Sequence, residues 1–171
     1  MGKRCVYCGV KGRTSSDHIP PRSLYSQPYP PNLITVPACS ACNQQASRDD
    51  EYFRTVISLK DSTYSHPDVQ ANLPSIFRGL QRSENKNFTR SFLNGIRQFN
   101  LRSPGGIQLG HKWGFDVDLR RLDRVAERIV RGLFFHETRR PLQYSAGVKA
   151  WSEDGLRDIP IPILREYQET V

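Results

Sequence analysis

The hydrophobic pattern of this chain begins as short strand-like runs and turns helical after residue 43. Ile19 continues a short strand that Pro20-Pro21 stops, and Leu33 to Val36 is a β-branched run of strand character, so a hairpin is expected across the loop between them. From Asn43 to Leu59 there is no Gly or Pro, and apolar residues gather at Tyr52, Phe53, Val56, Ile57 and Leu59. That pattern predicts a helix with a wet N-terminal half. Helical spacing then covers 68–82 and 86–99, the second through Phe88, Phe92, Leu93, Ile96 and Phe99. Ser103-Pro104-Gly105-Gly106 breaks the pattern, and Ile107 to Val117 suits a strand or hairpin. Asp118 can cap a last helix whose stripe is Leu119, Leu122, Val125, Ala126, Ile129, Leu133 and Phe134. The C-terminal tract, with Trp151 and Ile159-Pro160-Ile161-Pro162-Ile163, reads as extended packing against the body. The fold class expected is α+β. Residues 1–60 form a strand-loop-strand-helix motif and residues 61–171 a mainly helical region with a short hairpin, joined through the polar stretch Lys60 to Pro67.

Composition narrows the partners. With 171 residues the chain has room for one domain, or a small motif domain fused to a modest helical one. It carries 25 Lys+Arg against 17 Asp+Glu, a net charge of +8. The excess is uneven: residues 78–140 hold 14 cationic and 6 acidic side chains, whereas residues 141–171 hold 3 and 5. Such a field favours a polyanion, and Arg forks suit phosphate. On the last helix Arg120, Arg124, Arg128 and Arg131, with Arg121 among them, share much of one face. Either a solvated surface laced with ion pairs or a ridge that tracks phosphates fits this spacing. Met1-Gly2-Lys3-Arg4 runs into Cys5 with no apolar stretch behind it, and no run approaches a membrane span. A cytoplasmic protein with no membrane association is expected.

The cysteines fall as Cys5-x-x-Cys8 and Cys39-x-x-Cys42. Two disulfides or one redox-active pair are the competing readings, but paired CxxC turns some thirty residues apart are the spacing of a tetrahedral zinc site. Four thiolates leave no open position, so such a zinc is structural and any chemistry lies elsewhere. Between the pairs stand Asp17-His18-Ile19-x-Pro21, then Arg22 and Asn32-Leu33, and the second pair ends on Asn43.

Taken together, these strings resemble the HNH endonucleases, the ββα-metal nucleases, in their zinc-bearing form; the resemblance covers residues 3–59. It implies a hydrolase that cuts phosphodiester bonds, most readily in double-stranded DNA, leaving a 5′ phosphate and a 3′ hydroxyl. His18 would be the general base, since an imidazole can be neutral at working pH. Asp17 and Asn43 would offer oxygens to a catalytic Mg²⁺, or another divalent ion such as Mn²⁺. Asn32 would brace the loop that carries the base. Arg22 is either an ordinary surface arginine or, by its charge, a phosphate clamp. Local bulging is expected at Asp17-His18, because neighbouring residues on a strand point to opposite faces. The chain carries Asn43 where many relatives end the motif in His, and Ser47 where they place His or Lys one turn later. Asp50 and Glu51 are expected to solvate the helix. Cleavage of both strands would need successive nicks or a homodimer. Two other readings stand: the same chemistry on RNA, or a zinc-bearing nucleic-acid binding module that does not cut.

Overall fold

A computed structural model of the chain describes residues 3–150, and the C-terminal tract with Trp151 and Ile159 to Ile163 lies outside them. Among the described residues the fold is α+β. Strands β1 (Lys3–Arg4) and β2 (Lys11–Gly12) flank the first cysteine pair; β3 (Thr14–Ile19) pairs antiparallel with β4 (Ile34–Cys39); and helix α1 (Ser40–Ser58) follows directly. The predicted hairpin and helix are therefore present. The helix starts three residues before Asn43, because Cys39, extended at φ −72° and ψ 160°, lets the chain turn at once from strand into helix.

Beyond α1 come α2 (Asp61–Tyr64), α3 (Pro67–Leu80) and α4 (Lys86–Asn94), then a hairpin of β5 (Ile96–Arg102) and β6 (Gln108–Phe115), and finally α5 (Leu119–Thr138). His66 caps α3 by accepting from the Asp68 amide at 3.3 Å. Asp118 caps α5 as expected, its side chain accepting from the Arg120 amide at 3.1 Å. The helix read over 86–99 ends at Asn94 instead. Gly95 closes it, and Ile96 and Phe99 belong to β5, whose pairing with β6 outweighs the local helical spacing. No helix among the described residues is long and apolar enough to cross a membrane.

The last helix packs differently from its apolar stripe. Its buried residues are Val125, Arg128, Arg131 and Gly132, while Leu119, Leu133 and Phe134 are exposed. The buried line lies on α1, β3 and β4, so the arginine side of α5 faces the N-terminal motif and three of the seven stripe residues meet solvent. Gly132 makes this approach possible: a Cβ there would stand 2.5 Å from Cγ1 of the fully buried Ile19. The core beside it is small, Val6, Ile19 and Val36 with Tyr7, Ile34, Ile129 and Phe135 against them. Gly132→Ala is expected to destabilise the protein by ~1–3 kcal/mol through overpacking, despite alanine's better helix propensity. A urea midpoint at or above wild type would show that α5 can move away from β3 without loss.

Candidate active site and metal centre

The two cysteine pairs converge at the base of the β3–β4 hairpin. Cys5 and Cys8 sit on a turn closed by the Gly9 amide donating to the Cys5 carbonyl at 3.0 Å, with Gly9 at φ +74°. The Val6 amide donates to the Pro37 carbonyl at 3.0 Å, which lays this turn along β4. Cys39 ends β4 and Cys42 stands in the first turn of α1. All four thiols are free, and their sulfurs lie within 4.8 Å of one another, Cys8 and Cys39 at 3.7 Å. Thiolates on a tetrahedral ion with bonds of ~2.3 Å are separated by ~3.8 Å. The cluster could thus hold a metal such as zinc, and it is the one group of this kind among the described residues. The amide of Cys42 holds the Cys39 thiol below its ordinary value, at about 7, whereas burial pushes the Cys42 thiol up. Tyr144 lies against Gly9, where a Cβ would be 2.7 Å from the ring, so the segment after α5 returns to this turn.

Asp17, His18 and Asn43 line one cleft between β3 and α1. Pairing runs one-for-one through Asp17↔Val36 and His18↔Thr35, so the expected bulge is absent. A regular strand is tolerated because the inward carboxylate finds donors. Tyr7 donates to Asp17 Oδ2 at 2.7 Å, and Arg128 Nε stands 3.3 Å from the same oxygen, close enough for an ion pair but not aligned as a hydrogen bond. Burial, then the neighbouring Asp17 carboxylate, push the Tyr7 phenol up, so it stays a donor. Asn43 Nδ2 donates to Ser15 Oγ at 2.9 Å, which orients the amide and leaves its oxygen uncommitted.

Asp50 does not solvate the helix: it lines the cleft and pairs with the Arg128 guanidinium. Burial first, opposed by Arg128, pushes its carboxyl up to about 6. Arg128 therefore bridges Asp17 and Asp50 from beneath. The rest of the arginine face does similar work. Arg124 donates to both oxygens of Asp49, at 2.7 and 2.9 Å, and Arg121 adds a bond at 3.0 Å. Burial alone would raise the Asp49 carboxyl, but these bonds outweigh it and hold it low. Arg131 donates to Glu127 and to the carbonyls of Gln143 and Ala146. Of the four arginines expected on a phosphate-tracking ridge, Arg124 and Arg128 are thus paired with the Asp49 and Asp50 that α1 presents to α5, and Arg131 with Glu127 and the segment after α5. Arg120 is exposed.

Cations also enter the cleft from its other side. Arg22 lines it with its guanidinium over the Tyr29 ring at 5.1 Å, and Arg54 and Arg82 join it. Two donors there lack hydrogen-bond partners among the described residues: Arg54 Nε and Ser23 Oγ, both buried. Arg54 was legible in principle, since Asn43, Ser47, Asp50 and Arg54 recur at helical spacing on α1. Asn32 lies exposed ahead of β4, outside the cleft lining, and has no side-chain hydrogen bond among the described residues. The bracing expected of it comes from α3, where Asn72 Nδ2 donates to the Leu24 carbonyl at 3.3 Å and Asp68 accepts from Ser26. Against family models, curated proteins and solved structures, the chain gives no significant match.

Proposed function

We propose that the cleft is the active site of a metal-dependent endonuclease of the HNH kind, tied together by a structural zinc on Cys5, Cys8, Cys39 and Cys42. The supporting observation is that Asp17, His18 and Asn43 share a cleft with two buried donors, Arg54 Nε and Ser23 Oγ, that have no hydrogen-bond partner among the described residues. Buried polar groups are nearly always satisfied, so an unpaired guanidinium nitrogen and an unpaired hydroxyl lining one cleft suit a ligand rich in acceptors, such as a phosphodiester. His18 takes the proton from the attacking water, and Arg22 and Arg54 hold the phosphate. Asp17 and Asn43 are the oxygens that suit Mg²⁺ or Mn²⁺, with Asp50 nearby. When bound, such an ion supplies Lewis-acid stabilisation of the leaving oxygen. Tyr7 and Arg128 keep Asp17 aimed.

One observation favours the non-cutting alternative, a zinc-bearing nucleic-acid binding module. Arg128 already supplies positive charge between Asp17 and Asp50, and no second metal-ready cluster of His, Cys, Asp or Glu exists among the described residues. Incubation with supercoiled plasmid and with a matched RNA, each with Mg²⁺ or Mn²⁺, separates the readings. Nicking is expected for wild type, and His18→Ala should lower the rate ~10²–10⁴-fold, the usual contribution of a general base. Nicking unaffected by the substitution removes His18 from the reaction, and no cutting with any ion leaves the binding module.

A further inference from the structure

The β5–β6 hairpin is exposed along its whole length on β5 and nearly so on β6, yet its base is firmly anchored. Phe115 packs on Phe92 with ring centroids 4.9 Å apart, and Lys112 pairs with Asp61 of α2. Its two faces differ in chemistry. On one, Arg97 stacks over Phe99 at 5.4 Å, and Phe99 lies so close over Gly114 that a Cβ there would be 2.8 Å from the ring. That face satisfies itself. On the other face cross-strand register puts Gln98 opposite Trp113 and Asn100 opposite His111, and past a register shift between Leu101 and Arg102 it puts Arg102 opposite Gln108. All six side chains are exposed, Trp113 at 73%, and Gln98, Asn100 and Arg102 have no partner among the described residues. Residues 96–115 contain three cationic side chains and no carboxylate; Arg97 and Lys112 pair with Asp116 and Asp61, so Arg102 is the ribbon's unpaired cation among the described residues.

We propose that this ribbon enters the major groove of B-form duplex DNA and reads base edges through Gln98, Asn100 and Arg102; the choice of partner rests on the nuclease reading of the cleft. The major groove admits a two-stranded β-ribbon, Arg pairs in bidentate fashion with guanine, and Asn or Gln pairs with adenine. An A-form RNA duplex has a major groove too deep and narrow for such readout. A second copy of the chain is a poor occupant, because a facing ribbon would offer Arg102 no carboxylate.

The test uses the full chain carrying His18→Ala, without added magnesium, and a randomised DNA duplex pool. Enrichment of a preferred sequence is expected. On that duplex the triple variant Gln98→Ala, Asn100→Ala, Arg102→Ala should bind at least ~10-fold more weakly, since each bidentate contact is worth a factor of that order. These residues are exposed, so circular dichroism should show an unchanged fold. Equal binding by the variant, failure to enrich any sequence, preference for an RNA duplex of the same sequence, or an effect on self-association alone would each overturn the proposal. The two readings fail separately: ribbon-dependent binding without nicking removes only the nuclease, and His18-dependent nicking with ribbon-independent binding removes only the ribbon.

Discussion

Loss of the metal from the four-cysteine cluster is expected to unfold the N-terminal motif, whether by a strong chelator or by Cys5→Ser. Structural zinc contributes ~10–16 kcal/mol to the folding of zinc-finger peptides, against ~5–15 kcal/mol for the net stability of a whole domain. The hydrophobic cluster beside the site cannot replace it, for only Val6, Ile19 and Val36 are fully buried there. Cys5 is the most sensitive position, with no exposed surface, on the turn that the Val6 amide fastens to β4. Metal analysis should find one zinc per chain in wild type and little in the variant. Far-UV circular dichroism and the urea midpoint should fall with the metal content. A zinc-free Cys5→Ser chain that keeps the wild-type midpoint would mean that the sulfurs gather without a structural metal.

Arg128→Met is expected to cost ~3–5 kcal/mol, the usual result of removing one partner from a buried ion pair. Methionine keeps most of the volume, so the loss reports charge and not a cavity. Arg128 is 8% exposed, and its removal leaves Asp17 and Asp50 facing each other without a cation. The deficit should depend on pH with a definite sign. Asp50 has a folded value raised to about 6, above the ~3.9 of an unfolded aspartate. A raised carboxyl favours folding below the unfolded value, and that advantage disappears as pH rises through the folded one. Without Arg128 the folded value moves higher still, so the variant should be nearer wild type at about pH 5 than at about pH 8. Urea titrations at the two conditions measure this. A deficit independent of pH would show that Arg128 acts through packing alone.

Arg128 also explains why the arginine-rich helix resisted a reading from sequence. Its spacing fits a solvated face, a phosphate ridge or an internal clamp equally well, and the deciding fact, that Asp49 and Asp50 point at it, lies more than seventy residues away. The β5–β6 ribbon was obscured for the opposite reason. Phe92, Ile96 and Phe99 keep helical spacing across Gly95, and pairing with β6 overrides it.

By itself the sequence determined the features that depend on near neighbours. The CxxC spacing, the proline stop after Ile19, the uninterrupted helix through Tyr52 and the cap at Asp118 each follow from a few adjacent residues. Local chemistry leaves those positions few alternatives. The site roles of Asp17, His18 and Asn43 rest instead on the resemblance carried by the whole string 3–59. Tertiary structure alone decided which carboxylates are buried, which arginines they claim, and which donors remain unpaired. Those outcomes depend on α5 crossing β3 at Gly132, and burial is what turns a charge from a surface ornament into a group that must have a partner.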